Sequence, residues 1–544
     1  MNKPASFTDR KELWSQLKQQ PQHWDMIIVG GGIIGAGVLR EATRRGLKAL
    51  LIEQRDFAWG TSSRSSKMVH GGLRYIAQGD IKLTKQSLQE RERLLREAPG
   101  LIERMGYFFL LRKKKFPGRL VMNLLLSLYD RLAGIKDHRY LDKESLPAHF
   151  PGLNTDQLKG ACYYTDTAVD DARLVLRVLQ ESIQAGGQVL NYAQATKLIK
   201  KPLSDDNGDK CVQGLVVKNI ENDEQLSLKA SVVINATGAW ADRLRSDVID
   251  EKRIRPLRGS HLVLPREKLP VEGTLGIFHP EDKRPVFIFP WEGATLIGTT
   301  DIDHRGDLDQ EACITNSEVD YLLQIVAQYF PQHQLSRKDV ISCYSGVRPV
   351  IGSDNGKDPS KERRTHAVWA DKGLVTVSGG KLTTFRVTAI DTLEAAKPWL
   401  VDASSKTDIG DDQVFAQPPA PAKGQSIDKD RQRRMLGRYG SNFNHMLANT
   451  DKDEWQLIGQ TQFCLAECRW AIKNESVVHL DDLLLRRTRL GLLLENGGKE
   501  LFSSLENMFH QELGWCRERW EKEVSRYLDI WQKHYSLPPT QSAS

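Results

Sequence analysis

Apolar and polar positions along the chain fall into blocks of different period, and the period assigns each block an element. Met26 to Val29 is a short apolar run between Asp25 and a set of glycines, the pattern of a strand buried on both faces. A helix-period stretch follows, and Leu47 to Ile52 is a second apolar run. Helical periods dominate from there to about residue 160, broken at 112–134 by a basic cluster and then an apolar block. Residues 161–242 hold another helix-and-strand stretch that closes on SVVINATGAW. From 253 to 350 short strand-like runs prevail: SHLVLP, PVFIFPW and ATLIGTTD. WADKGLVTVSGGKLTTFR, at 369–386, predicts strand, glycine-rich turn and helix. The Pro/Ala-rich AQPPAPAKG at 416–424 reads as a linker, followed by helix to about residue 535 and a polar tail. Residues 1–24 are polar and expected to be peripheral, and no internal repeat is found.

One stretch fits no period. GTSSRSSKMVHGGLRYI, residues 60–76, is too polar for an amphipathic helix and too irregular for a strand. Its hydroxyls and glycines suit a loop that holds a ligand through small polar groups and backbone amides.

Another carries a recognised chemistry. In DMIIVGGGIIGAGVLREATRRGLKALLIEQ, from Asp25, the glycines Gly30, Gly32 and Gly35 form G-x-G-x-x-G between a strand and a helix. The first allows a tight turn, the second lets backbone approach a pyrophosphate, and the third permits close helix–strand packing. The helix aims its first amides at the phosphates. Glu53 ends the second strand, placed to accept hydrogen bonds from a ribose. Two more small-residue turns, NATG at 235–238 and SGGKLTT at 378–384, suit a long ligand threaded across a sheet. That favours a flavin dinucleotide over an exchangeable nicotinamide.

Composition narrows the class further. The 544 residues are 40% hydrophobic and 27% charged, enough for two to four domains with a large core. A net charge of +7 spread over this length does not make a nucleic-acid binder, but it suits an anionic substrate or an anionic membrane surface. Seven scattered cysteines without a C-x-x-C argue against zinc or a disulfide framework and for free thiols, and no metal site is expected. The N-terminus lacks an apolar signal region, and no run of about 18 apolar residues could span a bilayer.

Nine blocks in order, GGGIIGAG, TSSRSSKMVHGGLRYI, VDDARLV, INATGAWA, RGSHLVLP, PWEGATLIGTTD, YSGVRP, GGKLTTFR and LDDLLLRRTRLG, closely resemble the FAD-dependent glycerol-3-phosphate dehydrogenases of aerobic bacteria and mitochondria. The resemblance covers about residues 24–535. It implies oxidation of sn-glycerol 3-phosphate at C2 to dihydroxyacetone phosphate, with hydride transfer to FAD and electrons passed to a membrane quinone. It implies an α/β plus α+β fold with a Rossmann-like FAD-binding domain of the D-amino-acid-oxidase type. That domain is discontinuous, over 25–98, 165–242 and 355–410, after a polar lead at 1–24. A mixed-sheet substrate domain takes 99–164 and 243–354, a helical C-terminal cap 411–535, and a tail 536–544. The calcium-binding extension of the mitochondrial relatives is absent. The nearest rival is a soluble glycerol-phosphate oxidase that returns electrons to oxygen.

These implications direct attention to particular residues. A phosphate of charge −1.5 to −2 calls for guanidinium forks. Arg348 in YSGVRP, Arg74 with Tyr75 in HGGLRY, and Arg363 are the candidates, with Arg364 an alternative to Arg363. Removal of the alcohol proton needs a base. His261 in RGSHLVLP is the candidate, kept neutral by Arg255 and Arg258, and His70 is the runner-up. Lys381 would stabilise charge gathered at the flavin's pyrimidine edge, so His261, Lys381 and Arg348 form the expected catalytic set. Thr61, Ser62, Ser63, Ser65 and Ser66 are expected to bond phosphates and flavin edges, with Gly71 and Gly72 letting the chain pass close to the ring. Gly238, Gly380, Leu382 and Thr383 complete the expected cofactor contacts.

The block at 112–134, RKKKFPGRLVMNLLLSLYDRLAG, sets a basic cluster before apolar Leu120 to Tyr129. Leu120, Leu124, Leu128 and Leu132 would share one helical face. The pattern suits an interfacial anchor on the inner membrane face and equally a core helix beside a solvated loop. RRTR at 486–489 is a second basic cluster and a candidate for the lipid face. The sequence also admits a homodimer.

Overall fold

The computed structural model describes residues 6–77, 79–202, 210–352, 365–400, 413–417 and 427–539. Two sheets organise them. The first holds β1 (His23–Val29), β2 (Ala49–Ile52), β6 (Gln188–Leu190), β9 (Gln225–Asn235), β16 (His366–Asp371) and β17 (Leu374–Gly379), in the order β16-β17-β9-β1-β2-β6. Its central strands run parallel, while β8 (Lys210–Asn219) pairs antiparallel with β9 and β7 (Ala193–Pro202) pairs antiparallel with β8. Met26 and Ile28 face one apolar layer while Ile27 and Val29 face another. A strand buried on both faces has no polar face to alternate with, hence the continuous apolar run.

One covering layer contains α2 (Ile33–Arg44), α6 (Asp171–Gln184) and α7 (Phe385–Ala396). The opposite face is covered partly by α1 (Arg10–Gln19), which corrects the expectation of a peripheral lead. Asp9 caps α1, and Leu13, Trp14 and Leu17 are buried against the sheet. Arg10 donates to the carbonyls of Asn191 and Tyr192, both at 2.9 Å. Three apolar side chains on one face outweigh the polar average of the segment.

The second sheet lies beyond the first. It joins β3 (Ile102–Arg112), β4 (Arg139–Asp142) and β5 (Leu158–Val169) with β10 (Ile254–Pro265), β11 (Thr274–Phe278), β12 (Pro285–Trp291), β13 (Ala294–Gly298), β14 (Ile302–Asp303) and β15 (Ser342–Ile351). The pairing is antiparallel except between β3 and β11. Short helix α3 (Leu73–Ala77), then α4 (Ile81–Glu97) and α5 (Arg119–Ala133), pack beside this sheet. The C-terminal region is helical, with α8 (Lys429–Tyr439), α9 (Leu465–Asn474), α10 (Phe502–Leu513) and α11 (Arg517–His534). The expected linker lies mostly outside the described residues, and all seven cysteines are free thiols.

RRTR does not face lipid. Arg486, Arg487 and Arg489 are at most 1% exposed. A π turn at Leu483–Arg487 brings two adjacent guanidinium groups onto Asp56, which accepts from Arg486 Nε at 2.5 Å and from Arg487 Nη1 at 2.6 Å. Arg486 also meets Asp481 and Asp482, and Arg489 meets Asp171. Buried guanidinium groups need carboxylate partners, and these come from distant segments of the chain.

Candidate functional site

A cavity of about 640 Å³ runs between the sheets, from the β1–α2 turn to the inner side of β10 and β15. At the first end Gly30 has φ +115°, and a Cβ there would come within 2.5 Å of the Ala236 carbonyl oxygen. Gly35 is an internal packing position, where a Cβ would meet the Gly30 oxygen at 1.9 Å. Gly32 precedes α2 and lines the cavity. Glu53 accepts from the amides of Gly31 at 2.7 Å and Arg55 at 2.8 Å. Burial nevertheless pushes its carboxyl above the usual range. Gly238 and Gly380, both at positive φ, line the cavity with Leu382 and Thr383.

The hydroxyls of residues 61–66 are tied mainly to protein. Thr61 donates to the Val347 carbonyl, and Ser62 Oγ accepts from the Ile33 amide at 3.0 Å. Ser65 Oγ donates to Asp171 at 2.7 Å, and Ser66 Oγ lies 3.0 Å from His261 Nε2. Ser63 is buried away from the cavity lining, and its carbonyl accepts from Lys67 Nζ at 2.6 Å and Arg489 at 2.5 Å. Thr61, Ser62, Ser65 and Ser66 line the cavity, and their hydroxyls also brace the loop against the rest of the protein. Gly71 also differs from expectation. A Cβ there would strike Leu88 at 2.2 Å and the Tyr129 hydroxyl at 2.4 Å, so its small size serves packing against α4 and α5.

His261 stands at the other end, 2% exposed. Its ring stacks on Tyr344 with centroids 4.7 Å apart. On β13, a Cβ at Gly298 would come within 2.1 Å of the imidazole. The ring is therefore held in one plane. Its pKa is pulled down to about 3 by burial first, then by Lys67 and Arg348. Arg255 and Arg258 do not supply this effect: they pair with Asp303 at 2.7 Å and with Glu318 at 2.6 Å. Residues three apart on a strand point to opposite faces, and six apart lie about 20 Å away, so neither arginine on β10 reaches the ring.

Arg348 lines the cavity and donates to Asp301 at 2.5 Å. Arg284 lines it too and donates to the Asp301 carbonyl. The sequence reading missed Arg284 and Asp301. The GTTD block carried a signal for Asp301, whereas Arg284 sits in EDKRP, which reads as an ordinary charged turn. Tyr75 is buried, with Lys381 Nζ 3.7 Å from its ring centroid and 3.1 Å from Ser87 Oγ. His70 lines the cavity beside Tyr75, and its carbonyl accepts from Thr383 Oγ1 at 3.3 Å. Arg74 belongs to α3 by its backbone, its side chain lying outside what is described, and Arg363 and Arg364 lie outside the described residues.

Comparison with known proteins agrees with this arrangement. Residues 25–386 match the family described as FAD dependent oxidoreductase, and 390–520 match the C-terminal domain of alpha-glycerophosphate oxidase. Glycerol-3-phosphate dehydrogenase 2 of Mycobacterium tuberculosis is 34% identical over 95% of this chain and 89% of its own. The chain belongs to the FAD-dependent glycerol-3-phosphate dehydrogenase family. Aerobic glycerol-3-phosphate dehydrogenase of Staphylococcus haemolyticus is 32% identical over 86% of this chain and 87% of its own. The FAD-complexed glycerol-3-phosphate dehydrogenase of Bacillus halodurans superposes with a TM-score of 0.73 at 25% identity, covering 98% of this chain and 99% of that one.

FAD is the cofactor of this family, and the residues present fit it. The Gly30 turn would be filled by any side chain, α2 presents its N-terminus to the cavity, and Glu53 stands at the end of β2. Gly238, Gly380, Leu382 and Thr383 line the same cavity.

Proposed function

We propose that the protein oxidises sn-glycerol 3-phosphate at C2 to dihydroxyacetone phosphate and passes the electrons to a membrane quinone. The observation that carries the first part is a single cavity that joins the glycine turn and Glu53 at one end to a buried imidazole and two arginines, His261, Arg284 and Arg348, at the other. FAD, when bound, supplies the acceptor for the hydride released from C2. The chain's own residues do the rest. Arg348 and Arg284 bind the phosphate, Arg348 sharing its guanidinium with Asp301. His261 takes the hydroxyl proton, its ring plane set by Tyr344 and Gly298. Lys381 and Tyr75 close the side formed by α3.

Anaerobic titration of the purified protein with glycerol 3-phosphate should bleach the flavin absorbance; an unbleached flavin removes the assignment. In Arg348→Ala, half-bleaching should require about 10²-fold more substrate, because a charge-assisted contact is lost and Asp301 then repels the phosphate. An unchanged concentration would take Arg348 out of the phosphate site.

The membrane part rests on α5. Its buried stripe is Met122, Leu126 and Tyr129, while Leu128 and Leu132 only half bury against the core. Leu120 is 85% exposed, Leu124 74% and the preceding Phe116 84%. Lys113, Lys114 and Lys115 are exposed beside them. An apolar patch next to clustered cations complements an anionic lipid surface. No helix among the described residues is long and apolar enough to cross a membrane. Placement on the inner face of the cell membrane follows from this reading, and quinone is the acceptor such a surface delivers.

Replacing Lys113, Lys114 and Lys115 together with glutamine should weaken binding to anionic vesicles about 10²-fold, at about 1 kcal/mol per cation. Quinone reduction should fall with it, and reduction of a soluble dye should stay. Unchanged sedimentation with vesicles would sink the anchor. Peroxide formed stoichiometrically with turnover under air would instead identify oxygen as the acceptor.

A further inference from the structure

Lys67 lies behind the site with zero exposure. Its ammonium donates to the Ser63 carbonyl at 2.6 Å and to both oxygens of Asp171, at 2.8 and 3.0 Å. It stands 4.6 Å from the centroid of the Tyr344 ring, the ring on which His261 stacks. The backbone of Lys67 has φ +56°, a conformation uncommon for a side chain of this size. It is held there by two further bonds, from its own amide to Ser65 Oγ at 3.1 Å and from the Val169 amide to its carbonyl at 2.9 Å. The residue before it, Ser66, is the one whose hydroxyl meets His261.

We propose that Lys67 is a positioning residue for proton abstraction: its ammonium, locked between Ser63 and Asp171, fixes the loop carrying Ser66 and sets a cation against the Tyr344 ring on which the His261 imidazole stacks. This rests on the reading of His261 as the base. The charges around His261 decide the sign. From the 64–70 loop it faces Lys67, and from β15 it faces Tyr344 and Arg348, while β13 offers only Gly298. Both charges are cations, and both lower its affinity for a proton. The carboxylates nearest to them are engaged, Asp171 with Lys67 and Arg489, and Asp301 with Arg348. Glu318, behind β10, is engaged with Ser260, Thr300 and Arg258. An imidazole kept neutral in this way has its lone pair free across the whole physiological range, at the cost of lower basicity.

Arg489 extends the device to the C-terminal region. It donates to the same Ser63 carbonyl and the same Asp171 as Lys67. Burial and the Arg489 charge pull the Lys67 ammonium down to about 7 even with Asp171 beside it, so its charge is complete only below neutral pH, where His261 would otherwise begin to protonate.

The test uses holoenzyme with ¹³C-labelled histidine and follows the His261 resonance, assigned by its loss in His261→Gln, from pH 8 down to the lowest pH at which the protein stays folded. The wild-type imidazole should stay neutral to below about pH 5. In Lys67→Met its protonation should begin at higher pH than in wild type, burial and Arg348 still holding it below an ordinary imidazole. The acid limb of kcat/KM should then move to higher pH by about one unit or more, a drop of about 10-fold near the limb. Lys67→Arg should keep the wild-type limb. A wild-type His261 that titrates near its ordinary value of about 6.5 overturns the proposal, even where Lys67→Met fails to fold. So does a Lys67→Met enzyme that loses activity equally at every pH, since that marks a purely structural lysine. The resonance is read without substrate, so this result stands apart from whether glycerol 3-phosphate bleaches the flavin.

Discussion

Replacing His261 with glutamine should slow anaerobic flavin reduction by glycerol 3-phosphate by about 10²–10⁴-fold, the usual contribution of a positioned base. The affinity for substrate should change little, because the proposed phosphate contacts lie on Arg284 and Arg348. The argument is geometric before it is electrostatic. Tyr344 and Gly298 leave the ring one plane, and Ser66 Oγ at 3.0 Å from Nε2 sets its rotation within that plane. Glutamine can keep a hydrogen bond to Ser66 and fills similar space, so the loss should report the missing base rather than a collapsed pocket. Stopped-flow absorbance of the flavin measures it. A loss below about 10-fold would move the base elsewhere, with His70 the first residue to examine.

Asp56→Ala should be the most damaging substitution away from the cavity, destabilising the fold by about 3–5 kcal/mol. Asp56 is fully buried and accepts three short hydrogen bonds from Arg486 and Arg487. The two guanidinium groups hold its carboxyl below the usual range even against burial. Without it, Arg487 keeps the Glu475 carbonyl at 2.8 Å and a carboxylate no nearer than 3.9 Å. A buried cation so poorly compensated is expensive, and Arg486 would retain Asp481 and Asp482. Because Asp56 follows β2 and the arginines belong to the C-terminal region, the variant should lose heat stability and FAD together. Thermal unfolding followed by far-UV signal and by released flavin fluorescence gives both. An unfolding midpoint within a degree of wild type would show that the ion pair contributes nothing net.

The same network shows where sequence reading stops. RRTR looked like a solvated or lipid-facing run because four polar residues in a row usually are. Nothing local distinguishes it from a buried set, since Asp56 lies 430 and 431 positions away from its two arginines. Ser63 and Gly71, which do not line the cavity, were read as ligand contacts for a similar reason. Hydroxyls and glycines suit a ligand loop, but equally a loop braced by Asp171, Arg489 and Tyr129. The helix at 119–133 was half legible: its amphipathic character was plain, while the choice of buried stripe depended on what packs against it. His261 lines the cavity as expected of a site residue, but the arginines expected beside it are elsewhere, because β10 turns Arg258 to its other face and places Arg255 too far along.

What the sequence determined by itself was the part written in adjacent residues. The β1–α2–β2 unit, its glycine turn and the acid at the end of β2 need only local backbone geometry and a two-sided apolar strand. The order of nine short blocks was enough to point to the family. Tertiary structure alone decided which charges are paired, which hydroxyls are spent on protein, and which cations surround His261. Those outcomes depend on partners hundreds of residues apart in the chain, and the energy of a buried charge is set by its nearest partner rather than by its neighbours in sequence.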